Sequence, residues 1–297
     1  MVGAIFRVWV VIEGLIGVCY NQQVLKGAPT ALNNPLLSVI MPVYNTRDML
    51  PRALDSILSQ GIDSLEIILV DDGSPDDSLS VCQSYAQRDA RIRVVSRKNG
   101  GPGAARNTGL QLAQGYFIAF PDSDDTVTPG AYQMMLKAAE RTDLVIGHLN
   151  ILMHRRVFNR GYINDDRILN RNEFLDALAV RPGSHYYSSL CNKMYIRSII
   201  QDNEIEFDSS LLWGEDLLFN LRYFYHVQQV AYVSQPVYNY KRTMTGQTWS
   251  TIMRFGAGLQ IKGLLYDELK ALYVMSGAFK SHRYHIYRYI FNVTYSK

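Results

Sequence analysis

From residue 36 onward, short uninterrupted apolar runs alternate with segments whose apolar residues recur at helical spacing. Leu37–Val43 is such a run and ends in Pro42-Val43-Tyr44-Asn45. Behind it Met49, Leu50, Ala53, Leu54, Ile57 and Leu58 fall on one helix face. The alternation continues with strands predicted over 65–70, 92–95, 116–120 and 144–146, and helices over 79–85, 104–113 and 131–140. Strands that are apolar throughout and separated by helices predict an α/β fold with a mostly parallel sheet covered on both faces. Ligands of such sheets gather outside the carboxyl ends of the strands. Here the second strand runs into Asp71-Asp72-Gly73-Ser74 and the fourth into Asp122-Ser123-Asp124-Asp125, which brings five carboxylates to one rim.

After residue 150 the alternation stops. Residues 151–170 show neither period and read as a variable insertion. Order returns at 186–195, 212–219 and 237–242, and from Met253 the spacing of Leu265, Leu269 and Leu272 predicts an amphipathic helix. The chain thus divides into an N-terminal extension (1–35), a first half (36–150), a second half (151–252) and a C-terminal helical tail (253–297). The apolar run from Val8 to Tyr20 contains Glu13 and falls short of the roughly 20 residues that span a bilayer. No cleavage site follows it, so a peripheral segment and a start site placed too early are the two readings, ahead of a signal anchor. Residues 284–297 end without a stop signal, and the C-terminus is expected to be incomplete.

Composition narrows the function classes. Hydrophobic residues make up 47% and charged residues 19%, as in ordinary globular domains. The net charge of +3 argues against a dedicated nucleic-acid binder. It is unevenly spread: residues 241–297 hold nine basic and two acidic side chains. Cys19, Cys82 and Cys191 are odd in number and far apart, so neither a disulfide framework nor a thiolate zinc site is written here, and a reducing compartment fits best.

The oxygen-only set Asp122, Asp124 and Asp125 suits Mn2+ or Mg2+, which commonly takes further ligands from phosphates, so a nucleoside diphosphate is the natural companion. The alternative is a solvated turn that caps the next helix. Either Asp71 or Asp72 at the second strand end can accept from a base N–H, or cap a helix. The glycine-rich 99–107 loop is neither a Walker A sequence nor a dinucleotide fingerprint. Its Arg106 is available to the rim carboxylates or to a nucleotide, or is a surface residue. Glu215 and Asp216 stand in apolar surroundings, where an acid is either a general base or the start of a helix over 217–225. Lys241, Arg242 and Gln247 lie in a Tyr/Thr/Gly-rich segment suited to closing over phosphates, or to a solvated loop. No Gly-x-Ser-x-Gly elbow or informative Cys/His pair supports nucleophilic hydrolysis.

Ser38-Val39-Ile40-Met41-Pro42-Val43-Tyr44-Asn45, Leu69-Val70-Asp71-Asp72-Gly73-Ser74, Gly103-Ala104-Ala105-Arg106-Asn107 and Asp122-Ser123-Asp124-Asp125, in this order, closely resemble the family 2 glycosyltransferases of the GT-A fold. Asn192-Lys193-Met194-Tyr195 and Gly214-Glu215-Asp216 resemble later elements of bacterial polysaccharide-building members. The resemblance implies a Rossmann-like mostly parallel sheet flanked by helices, with a C-terminal helical extension. It implies a metal-dependent, inverting transfer of a sugar from a nucleotide-diphosphate donor, commonly UDP-linked, to an acceptor hydroxyl in surface polysaccharide or lipid-linked glycan assembly. Pro42, Tyr44 and Asp72 would then hold the base, Arg106 would support the nucleotide pocket, and Asp124 would contact ribose or metal. Asp122 and Asp125 would complete the Mn2+ or Mg2+ site, Asp216 would be the base with Glu215 as second choice, and Lys241 and Arg242 would close on the phosphates.

Cys191 stands where such sequences often have Trp, which leaves the acceptor-side packing open. The Gln-x-x-Arg-Trp segment and following membrane helices of processive synthases are lacking, which favours single addition. A sugar nucleotidyltransferase would need a basic glycine-rich loop where Tyr44-Asn45-Thr46-Arg47 stands; a receiver-like module would be shorter; a binding-only homologue would not need its acids intact. The expected location is cytoplasmic, including the inner face of the membrane. There the basic tail, with Trp249, Phe255, Tyr273, Phe279, Tyr284, Tyr287 and Phe291, suits an anionic surface, and an ordinary solvated helix face is the alternative.

Overall fold

A computed structural model describes residues 34–153, 156–241 and 255–292. The first part alternates as the pattern predicts: β1 (Leu37–Val43), α1 (Leu50–Leu58), β2 (Leu65–Asp71), α2 (Ser78–Ala86), β3 (Ile92–Ser96), α3 (Pro102–Leu112), β4 (Phe117–Ala119), β5 (Thr126–Val127), α4 (Ala131–Ala138) and β6 (Leu144–Met153). Then come β7 (Arg156–Arg160), β8 (Arg167–Asn170), α5 (Arg171–Val180), α6 (His185–Ser188), β9 (Lys193–Ile196), α7 (Arg197–Asp202), α8 (Glu215–Phe224) and β10 (Gln229–Lys241). Two longer helices, α9 (Phe255–Met275) and α10 (Phe279–Asn292), end the described chain.

The strands form one sheet in the order β3-β2-β1-β4-β9-β6-β10-β5, with β7 on β6 and β8 on β10. β3, β2, β1 and β4 are parallel, as are β6 and β10. β9 runs antiparallel between β4 and β6 and joins the two parallel blocks. Both chain halves therefore contribute to a single sheet, and the boundary after residue 150 falls inside β6.

Why the strands are apolar throughout is visible in β1. Val39 and Met41 pack in the layer with α1 and α4, whereas Ile40 points to the opposite layer beside α3 and the C-terminal helices. Helix α3 comes so close to β1 that a Cβ on Gly109 would stand 2.2 Å from Cγ2 of Ile40. Only glycine allows this approach, which brings the start of α3 to the strand ends.

Three sequence expectations change. The 151–170 stretch, read as a variable insertion without a regular period, carries strands: β6 continues to Met153, and β7 and β8 are antiparallel strands. All five residues of β7 are exposed, so it has no buried face to impose a period. The order expected over 237–242 belongs to β10, a strand that begins eight residues earlier at Gln229 and whose pattern is interrupted by register shifts around Pro236. In the tail Leu265, Leu269 and Leu272 are buried as their spacing predicts, but so is Tyr273, whose hydroxyl donates to the Leu175 carbonyl at 2.5 Å. Among the described residues no helix is long and apolar enough to cross a membrane. The N-terminal extension up to residue 33, Cys19 and the 242–254 segment with Arg242, Gln247 and Trp249 lie outside the described residues.

Candidate active site

At the ends of β1 and β2 the strands are tied by the Asp72 amide, which donates to the Val43 carbonyl at 2.9 Å. The Asp72 carboxylate is buried and already well supplied with donors. The amides of Gly100 and Gly101 approach at 3.1 and 2.7 Å, and Nη1 of Arg97 at 2.9 Å. Asp71 accepts from the Ser74 amide and the Ser96 hydroxyl. Neither acid caps α2, whose N-cap is Asp77. Asp72 instead fastens the β3–α3 loop against the rim, a role that sequence reasoning missed because Arg97 becomes its partner only through the β2–β3 pairing. At the end of β1 Pro42 is half-buried and Tyr44 is 41% exposed.

The second acidic loop follows β4. The Tyr238 hydroxyl accepts from the Asp122 amide at 2.9 Å and also bonds the Asp125 carboxylate, which takes the Lys241 amide at 2.7 Å. The loop caps nothing: the N-cap of α4 is Gly130. Burial, then repulsion from Asp124 and Asp122, pushes Asp125 up to about 8. Burial and Asp122 also raise Asp124. Among the described residues no three His, Cys, Asp or Glu side chains are already drawn together around a metal position. The donor chemistry still fits a hard divalent cation, since oxygen atoms alone are offered and its charge would relieve both raised carboxylates.

Arg106 joins this loop to the other half of the chain. From α3, its buried guanidinium donates through Nη2 to Asp122 at 2.8 Å and through Nη1 to Asp216 at 2.9 Å, and it lies 5.5 Å over the Phe207 ring. Burial disfavours its charge, yet Asp216 and Asp122 outweigh burial and raise its pKa. Burial likewise holds Asp216 above the ordinary carboxylate range, against the pull of Arg106. Asp216 does not begin its helix as a cap. That place belongs to Gly214, whose φ of +83° is left-handed, so Glu215 and Asp216 are the first residues of α8. An acid there is favoured by the helix dipole. Glu215 faces the start of α3, its Cγ 3.8 Å from where a Cβ on Gly103 would sit.

Residues 38–203 match the family model described as Glycosyl transferase family 2. The chain belongs to this family. It is 33% identical over 217 residues to EpsJ, an uncharacterized glycosyltransferase of Bacillus subtilis (strain 168), covering 72% of this chain and 63% of EpsJ. It is 31% identical over 255 residues to EpsH, a putative glycosyltransferase of the same organism, covering 82% of this chain and 70% of that one. Among solved structures, S. aureus TarS 1–349 in complex with UDP-GlcNAc superposes with a TM-score of 0.67 at 23% identity, over 78% of this chain and 66% of that chain. This likeness confirms the GT-A fold. The chain spans under two thirds of the length of EpsJ and of that TarS chain.

For a family 2 glycosyltransferase the arrangement is ordered along the rim. Tyr44 and Pro42 stand at the β1 end, the Asp122–Asp125 loop in the middle, and Asp216 across Arg106 from it. Lys241 belongs to this rim through its amide on Asp125, and its exposed side chain lies near Asp124. Cys191 is buried in the layer that contains Met194 and Tyr238, and burial holds its thiol well above the usual range. The position that often carries Trp is thus core rather than an exposed acceptor surface.

Proposed function

We propose that the protein is an inverting glycosyltransferase that moves a sugar from a UDP-linked donor to a hydroxyl of a glycan or lipid-linked acceptor in surface polysaccharide assembly. The observation that carries this reading is the single guanidinium of Arg106 bonded to both Asp122 and Asp216 within 2.9 Å. It brings an acid of the donor rim and a candidate base into one site.

In this reading Tyr44 and Pro42 bear on the nucleobase, and Asp72 shapes the base pocket by holding the 99–101 loop. The acceptor hydroxyl gives its proton to Asp216 as its oxygen bonds to the anomeric carbon. The bond from that carbon to the diphosphate breaks, its electron pair leaving with UDP, and attack from the opposite face inverts the sugar. Arg106 keeps Asp216 oriented and favours its ionised form. Asp124 and Asp122, with Asp125 beside them, would hold Mn2+ or Mg2+. When bound, such an ion neutralises charge on the departing diphosphate. Lys241, beside Asp124 and Asp125, would meet the same phosphates, with Arg242 as its expected companion. The exposed side chains Lys280, Arg283, Tyr284, Tyr287 and Arg288 of α10 give the molecule a basic, aromatic face for an anionic membrane surface where a lipid-linked acceptor would lie.

The test is a panel of UDP-sugars, followed by UDP release with and without Mn2+ and by thermal unfolding. One donor should be turned over, EDTA should abolish release, and Asp124→Asn should lose the stabilisation by Mn2+ plus UDP. UDP stabilisation without release from any donor would support a binding-only homologue. Full release in EDTA would remove the metal from the reading.

A further inference from the structure

Behind Asp216 lies a buried polar network that the reaction itself does not use. Lys193 is 1% exposed and has no ion pair among the described residues. Its three ammonium protons are met by the carbonyls of Tyr186 at 3.0 Å and Ser189 at 2.5 Å and by Oδ1 of Asn192 at 3.0 Å. A buried ammonium is costly even when every donor is satisfied, and a methionine would fill the same space without that cost. What the lysine supplies is therefore a cross-tie: it gathers three points of the 186–192 segment onto the start of β9.

That segment is where α8 is attached. Asn220, fully buried one turn after Asp216, donates through Nδ2 to the Ser188 carbonyl at 2.8 Å and to the Asp216 carbonyl at 2.9 Å. Its Oδ1 accepts from the Tyr195 hydroxyl at 2.8 Å. Tyr195 and Lys193 lie two residues apart on β9 and so share one face of the sheet. Asn192 completes the frame, donating to the Gly147 and Tyr186 carbonyls while its own carbonyl accepts from the Gly147 amide. The first turn of α8 has no side-chain cap of its own. Its position is set from outside, by Arg106 on the carboxylate and by this frame on the backbone.

We infer that Lys193 and Asn220 are positioning residues: Lys193 rigidifies the 186–192 segment, and Asn220 uses that segment to hold the first turn of α8 so that Asp216 faces the reacting hydroxyl. The inference rests on Asp216 being the base.

The experiment is a double-mutant cycle. Lys193→Met and Asn220→Leu are each made in the wild-type and Asp216→Asn backgrounds, with turnover read as UDP release from the UDP-sugar hydrolysed fastest, and affinity as the Kd for UDP. Misplacing a catalytic group slows turnover by about 10- to 100-fold. Lys193→Met should show a loss of that size with the UDP Kd kept within about twofold, and the loss should vanish when Asp216 is already Asn. Hydrogen exchange, which needs no donor, should become faster in residues 215–220 and remain slow in β1 and β2. A loss that persists undiminished in the Asp216→Asn background would overturn the inference, as would unchanged exchange in 215–220 or a matching fall in UDP affinity. If Lys193→Met does not fold, Asn220→Leu carries the same cycle. Wild-type turnover in Asp216→Asn alone would instead sink the base assignment, a separate result from the exchange readout.

Discussion

Arg106 holds two carboxylates that come from positions 16 and 110 residues away along the chain. Replacing it with Met would leave both without their partner. Breaking a buried pair costs about 3–5 kcal/mol, and here the loss should lie at the low end, about 3 kcal/mol, because Asp122 and Asp216 keep 33% and 35% of their side-chain surface open to solvent. The pH dependence has a definite sign. Burial raises Asp216, and as the proposed base it works only when ionised, so kcat should fall as pH drops, with a midpoint above the ordinary carboxylate range. The groups facing Asp216 are Arg106, Glu215, Asp122 and Lys193, with Tyr195 and Cys191 close by. Losing Arg106 removes the strongest opposing influence, so Arg106→Met should move that midpoint further up; a midpoint that stays still would show that Arg106 does not act on the base. The acids of this site were legible in the sequence, since carboxylates in apolar surroundings require a reason. Arg97 and Asn220 were not read as supports of the site, because Arg97 meets Asp72, and Asn220 meets Ser188 and Tyr195, only across 25 or more residues of chain; Lys193 bonds the nearby 186–192 segment, and its burial left no sign in the sequence.

Among the elements, the parallel block was legible almost residue by residue: strands covered on both faces leave runs with no polar interruption. β7, exposed along its whole length, and β10, broken around Pro236, leave no such trace. At the turn into α8 the structure removes one of the two readings of its acids. Gly214 supplies the left-handed step, so the two acids enter the helix instead of capping it. The approach of α3 to β1 predicts a stability effect. A methyl group on Gly109 would collide with Ile40, so Gly109→Ala should destabilise the fold by about 1–3 kcal/mol in urea or thermal unfolding. Helix propensity alone would give a gain from the same change, so a more stable variant would show that α3 sits further from the sheet.

For the whole molecule, the charge gradient and the buried leucine face of the tail were legible in the sequence, whereas the burial of Tyr273 and Ile286 was not. Leu265, Leu269, Leu272, Tyr273 and Ile286 are inside the main core, so α9 and α10 are part of the fold and their deletion would remove part of the core. Membrane contact is better tested on the surface: Lys280→Glu, Arg283→Glu and Arg288→Glu together should weaken binding to phosphatidylglycerol vesicles by about 1 kcal/mol per cation removed, with strong dependence on salt. Binding that is unaffected would place the contact elsewhere or nowhere. The continuous sheet has a second consequence. Donor rim and candidate base share one rigid scaffold, so a change confined to Asp216 should leave nucleotide recognition intact. The most direct measurement is therefore UDP binding and UDP release on one preparation of Asp216→Asn. The UDP Kd should stay unchanged while turnover falls by about 10²- to 10⁴-fold; turnover at the wild-type level would show that Asp216 is not the base.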